Sequence, residues 1–326
     1  MHYYLYKLRF TSTLHIGNDS GQDNLASAEY TIHSDTLFSA LCIEALNNGG
    51  EKLLQQVYTV FQNGQAVLSD AFPFRRDELF LPKPIWQQKA HAQTDPRERK
   101  LYKKLSLLPL SLFKNYISAS ETVPFDVHKA TALLQDLFFY EQRQCVAITG
   151  QEETQPYFIG GVVFNDDCGL YLIAGCANNE IKQRLDGLLQ SLASSGIGGK
   201  RNVGFGRFNL DNALALAETA NPSLQMLEAL LKEQNSAAYM TLNTSLPEKD
   251  ELSGIIPGAR FLLCRRGGYV QSNVPLNAPL KKKSLFAFAP GSCFTKTYHG
   301  AIYDLSCGGQ HPVYRYLKPL FMGVPS

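Results

Sequence analysis

Residues 195–207, read as Ser-Gly-Ile-Gly-Gly-Lys-Arg-Asn-Val-Gly-Phe-Gly-Arg, place five glycines and three cations in thirteen positions without one acid. Gly196, Gly198, Gly199, Gly204 and Gly206 have no Cβ and let backbone amides approach an anion, while Lys200, Arg201 and Arg207 supply countercharge. Two familiar nucleotide loops fail on residue identity. A Walker A loop requires glycine six residues before its lysine and Ser or Thr after it, where this chain has Ser194 and Arg201. A dinucleotide fingerprint starting at Gly196 or Gly204 requires glycine at Arg201 or Asn209. The chemistry left is contact with a polynucleotide backbone, set against the plain alternative of a helix-to-strand turn with scattered cations.

His15 and His33 offer a different chemistry. An imidazole near neutrality can move protons at a ribose hydroxyl, so a metal-independent endoribonuclease is the competing reading. Local hydrogen bonding near a helix start or a turn explains the same histidines without catalysis. The acids show no tight pairing for a two-metal site, and Asp35 reads as a helix-start residue; no metal and no cofactor are expected. The seven cysteines form no CxxC pair and read as thiols rather than disulfides or zinc ligands.

A net charge of +2 argues against a uniformly basic coat and directs attention to local islands. Lys89, Arg97, Arg99, Lys100, Lys103 and Lys104 face only Asp95 and Glu98 in one stretch, and Lys281, Lys282 and Lys283 form another. Such islands hold nucleic acid only where the fold makes them converge on one groove. Trp86 can stack on a base or anchor packing. No apolar run reaches membrane-spanning length, the N-terminus lacks the order of a signal peptide, and the expected location is the cytoplasm.

The elements that must position these groups follow from periodicity. Tyr4, Tyr6, Leu8 and Phe10 alternate as a strand; Ser34 or Asp35 starts a helix carrying Leu37, Phe38, Leu41, Cys42, Ala45 and Leu46, ending at Asn47–Gly50. Residues 158–164 and 170–174 read as a hairpin, Asn178 or Asn179 caps a helix with Leu185, Leu188, Leu189 and Leu192, and 205–210 is the last strand. The resulting β-α-β-β-α-β order predicts an α+β, ferredoxin-like sheet of the kind RNA-recognition motifs use, over residues 1–215. Residues 51–150 are expected as an inserted subdomain. Residues 216–326 are expected as a second α+β domain, with ferredoxin-like the first choice.

Three segments then carry a family resemblance: Leu14–Gly17 with Tyr30–Leu41, the glycine loop Gly196–Arg207, and Gly309–Tyr316. Together they resemble the fourth Csm subunit of type III-A CRISPR effector complexes, within the RAMP superfamily. The resemblance implies a non-catalytic holder of the repeat-derived 5′ handle of CRISPR RNA, docked on the large polymerase-like subunit and the adjacent backbone subunit. It also implies that Gly196–Arg207 touches the RNA backbone. The insertion becomes a thumb pressed into the duplex of guide and target RNA, with Lys89, Arg97, Arg99, Lys100, Lys103 and Lys104 as its RNA contacts. His15, His33, Lys281 and Lys282 complete the expected RNA-binding set. In the closing segment, Val313–Leu317 alternates like a packed strand, while His311, Tyr314 and Arg315 are the polar residues able to touch RNA.

Overall fold

The computed structural model describes residues 1–17, 25–85, 95–119, 125–147, 155–270, 280–306 and 312–324. Trp86, Lys89 and His311 lie outside the described residues. The chain opens with β1 (His2–Phe10) and α1 (Ser34–Gln62), the latter broken at Gly50, whose φ of 63° is open to glycine and strained for other residues. The helix stop expected at Asn47–Gly50 is therefore a kink, after which the helix resumes. Next come β2 (Ala66–Leu68), β3 (Phe72–Arg75) and β4 (Glu78–Pro82). An excursion follows through α2 (Pro96–Lys104), β5 (Leu107–Pro109), α3 (Leu110–Ile117), α4 (Val127–Leu133), β6 (Phe138–Ala147) and β7 (Gln155–Phe164). The domain closes with β8 (Cys168–Cys176), α5 (Asn179–Ser195), β9 (Phe208–Leu210) and β10 (Leu214–Ala215).

The main sheet runs β10-β1-β8-β3-β4-β5, with β9 also on β1 and β2 also on β8. Its centre, β9-β1-β8-β3, has the antiparallel 4-1-3-2 order of a ferredoxin-like sheet, and its helices are α1 and α5. The class expected from the pattern holds, but one strand is assigned differently. Residues 158–164 do not pair with 170–174: β7 pairs along its length with β6, and the second ferredoxin strand comes from β2 and β3 instead. Phe72-Pro73-Phe74 hid this strand, because proline within a run argues against a ladder position. Consequently the insertion does not begin at residue 51. The chain returns from α1 to the main sheet before departing, and the excursion lies between β4 and β8.

Strand alternation buries both faces of this sheet. Tyr6, Leu8, Leu170 and Leu172 pack on Phe38 and Leu41 of α1 and Leu189 and Leu192 of α5. On the other face Leu5, Phe72, Phe74 and Tyr171 join Phe113 of α3. The same cluster includes residues from the second half: Leu224, Leu227 and Leu231 of α6 (Pro222–Lys232) and Met240 of β11 (Ala238–Thr241). The two halves therefore share one core. The open sheet face on which an RNA-recognition motif stacks bases is buried here.

The second half continues through α7 (Leu252–Ile255), β12 (Leu263–Arg266), β13 (Leu285–Phe288), β14 (Cys293–Phe294), β15 (Ile302–Asp304), β16 (Tyr314–Tyr316) and β17 (Phe321–Val324). Its described strands form the sheet β14-β11-β17 and the two-stranded ribbons β12-β13 and β15-β16, an α+β layout of antiparallel sheets.

Candidate nucleic-acid interface

The glycine loop joins α5 to β9 and is bolted to two neighbouring segments. Gly196 ends α5 with φ 82°, its amide donating to the Leu192 carbonyl. Gly206 has φ 72°, and a Cβ there would stand 1.9 Å from the Ile197 carbonyl oxygen, so glycine is required where the loop closes on itself. Its amide donates to the Thr13 carbonyl at 2.8 Å, and the Gly199 amide to the His15 carbonyl at 2.8 Å. Most loop amides are therefore spent within the protein, which corrects the expectation that the glycines free them for an anion. The exceptions are the amides of Gly198, Lys200, Arg201 and Asn202, which meet no protein acceptor among the described residues. Asn202, Val203 and Arg207 are exposed, with Lys200 and Arg201 half-buried.

Behind the loop, residues 13–15 cross β7. Leu14 and Val162 exchange backbone hydrogen bonds of 2.9 and 2.8 Å, and a Cβ at Gly160 or Gly161 would strike Ala26 or Thr13. His15 is buried there, its Nδ1 donating to the Gly160 carbonyl at 2.6 Å. It braces the loop from behind and presents no face to an RNA chain. Two cation–aromatic contacts, which the sequence alone did not pair, tie loop to hairpin. Lys200 Nζ lies 5.3 Å from the Tyr157 ring, and the Arg143 guanidinium 5.0 Å from Phe205. Arg143 also donates to Thr13 Oγ1 at 3.1 Å and pairs with Glu141.

His33, half-buried, is held in a network of side chains from both halves of the chain. Its Nδ1 lies 2.7 Å from Asp70 Oδ2 and 2.7 Å from Thr244 Oγ1, and Asp70 Oδ1 accepts from the amides of Ser34 and Thr244. Burial and the nearby Arg266 pull its pKa down, but Asp70 and Glu29 prevail and hold it at about 9, leaving an imidazolium at neutrality. Two residues on, buried Asp35 accepts from Arg266 at 2.9 and 3.2 Å and from Arg315 at 2.7 Å. Burial pushes its carboxyl up; the two guanidiniums outweigh that and hold it well below the usual carboxylate range. The His-Ser-Asp-Thr segment is thus the polar joint between the two halves.

The α2 island does not converge on the glycine loop. Arg97, Arg99, Lys100, Lys103 and Lys104 lie on α2, which packs against α4 beside β5, at the sheet edge opposite β9 and β10. Lys281–Lys283 precede β13, where Lys281 is exposed and Lys282 half-buried. In the closing segment Arg315 grips Asp35, Tyr316 packs in the core beside Phe38 and Phe61, and Tyr314 stacks on Tyr58 at 4.4 Å. These described residues are engaged in packing and in the ion pair with Asp35. No group of three or more His, Cys, Asp or Glu able to hold a metal occurs among the described residues, and no described helix is long and apolar enough to cross a membrane.

Comparison with known proteins agrees with this geometry. Residues 7–209 match the RAMP superfamily model, and residues 234–324 match the CRISPR Csm4 C-terminal domain. The chain is 34% identical to the Mycobacterium tuberculosis CRISPR system Cms protein Csm4, covering 94% of each chain. This chain belongs to the Csm4 family. The Streptococcus thermophilus Csm4 is 32% identical, with 98% of each chain covered. Among solved structures, this chain aligns with a chain of a Csm3-Csm4 subcomplex in the type III-A CRISPR-Cas interference complex and with a chain of a Csm1-Csm4 cassette in complex with cA4. The first has TM-score 0.65 at 18% identity, covering 99% of both chains. The second has TM-score 0.62 at 18% identity, covering 99% of this chain and 98% of that one.

Proposed function

We propose that this Csm4-family chain is the non-catalytic subunit that holds the 5′ handle of CRISPR RNA in a type III-A complex in the cytoplasm, with its glycine loop on the handle's phosphates. The observation that carries the reading is the set of four amides, at Gly198, Lys200, Arg201 and Asn202, that meet no protein acceptor among the described residues and stand beside three cations. Amides and cations fix a phosphate backbone without reading sequence; selectivity for the handle then comes from contacts to splayed bases. The hairpin β6-β7, tied to the loop through Lys200 and Arg143, takes the role expected of the thumb beside guide and target RNA. Exposed Phe139, Tyr140 and Phe158 on that hairpin suit stacking on bases. Docking on the large and backbone subunits is supported by the Csm1-Csm4 and Csm3-Csm4 assemblies of its structural neighbours. Burial of His15 against Gly160 and the ion-paired contacts of His33 weigh against the endoribonuclease reading.

The test is photocrosslinking in the complex co-expressed with the large and backbone subunits and CRISPR RNA carrying 4-thiouridine in the handle. Crosslinks mapping to 196–207 and to β6-β7 are expected. Handle crosslinks confined to other subunits would overturn the assignment.

A further inference from the structure

A second basic surface, remote in sequence from the glycine loop, has a different construction. Its core is the ribbon β12-β13, in which Arg265 lies directly across from Phe286. The ribbon has two unlike faces. On the inner face Ala287 is fully buried and Arg266 is buried against Asp35, anchoring the ribbon to the start of α1. On the outer face Phe286 is 62% exposed and Leu263 55% exposed, and Arg265 is exposed beside them. Just beyond, Tyr269 pairs with Lys281, whose Nζ stands 5.4 Å from the tyrosine ring. Residues 256–270 and 280–289 contain Arg260, Arg265, Arg266, Lys281, Lys282 and Lys283 and no acid.

We propose that this ribbon is a second platform for single-stranded RNA, on which bases stack on Phe286 and Tyr269 while Arg265, Lys281 and Lys283 meet phosphates. A solvated charged face explains cations but not large exposed rings, each with a cation opposite it in register. A protein partner would have to desolvate those cations and supply matching carboxylates for each. A polynucleotide supplies both requirements in its own repeat, a π-face for each ring and a phosphate for each cation. The ligand class is single-stranded RNA without sequence preference, because stacking and charge tolerate any base.

The probe is a fluorescein-labelled oligouridylate, which contains no handle, titrated into the full-length chain and into the assembled complex. Phe286→Ala is expected to raise its Kd about tenfold, with Phe286→Trp restoring binding. Arg265→Glu with Lys283→Glu is expected to flatten the salt dependence of binding. Thermal melting establishes that each variant folds, a mild condition for side chains on the exposed face. Unchanged oligouridylate affinity in both variants would overturn the proposal. So would protection of the ribbon from hydrogen exchange by neighbouring protein subunits in RNA-free complex. The handle-binding reading fails separately: Lys200→Glu with Arg201→Glu tests that site, and its result does not depend on Phe286.

Discussion

Arg315 reaches across 280 positions to place its Nη1 2.7 Å from Oδ2 of Asp35, in the first turn of α1. Asp35 is simultaneously held by Arg266, so one buried carboxylate pairs with two guanidiniums from the second half of the chain. Removing the charge leaves both cations buried without it. Asp35→Asn is expected to cost about 3–5 kcal/mol in chemical denaturation, more than Arg315→Lys, which keeps a charge but loses the planar fork. Because the folded carboxyl lies far below its ordinary pKa of 3.8, this contribution is present above about pH 4 and fades as pH falls toward the folded value.

His33 gives the opposite pH dependence. Its pKa stands near 9 in the folded chain against 6.5 when exposed, so the folded state keeps a proton that the unfolded chain releases. The stabilisation is complete below about pH 6.5 and is lost as pH rises through 9. Melting temperature is expected to fall across that window in the native chain and to change less in His33→Gln. A parallel decline in both proteins would remove His33 from this role.

Local signals mark the glycine loop, the first helix, α5 and the α+β class, because periodicity and glycine spacing act over short distances. Long-range pairing leaves no such local mark. Nothing local says that Gly160 and Gly161 are where residues 13–15 cross β7, or that β7 pairs with β6 rather than β8. Asp70, Thr244 and Arg266 were likewise invisible as partners of His33 and Asp35, since their relation exists only once the two halves meet. The Lys200–Tyr157 and Arg143–Phe205 contacts belong to the same class.

Glycine requirements separate cleanly within one region. Gly206→Ala combines φ 72° with a Cβ 1.9 Å from the Ile197 carbonyl and is expected to destabilise the chain by more than about 1 kcal/mol. It also distorts the loop and weakens handle binding. Gly187→Ala, inside α5 with open space around the new Cβ, is expected to stabilise by about 0.5–1 kcal/mol. Paired urea titrations of the two variants distinguish a conformational requirement from simple tolerance.

Glu44 sets the geometry at the end of α5. Only 2% exposed, it accepts from Ser191 Oγ at 2.5 Å and Ser195 Oγ at 2.6 Å, clasping α1 to the turn that precedes Gly196. Glu44→Ala strands two hydroxyls and is expected to cost about 1–3 kcal/mol. Hydrogen exchange at residues 192–199 should quicken in the variant; exchange unchanged there would show that the clasp does not hold the loop.

The most direct test of the central claim is binding of CRISPR RNA with its native 5′ handle to the complex carrying Lys200→Glu and Arg201→Glu, measured over a range of salt. The account predicts weaker binding to native and scrambled handles alike, and a salt dependence flatter by about one to two counterions. Affinity and salt slope equal to those of the unmodified complex would contradict it, and the glycine loop would then be a turn and nothing more.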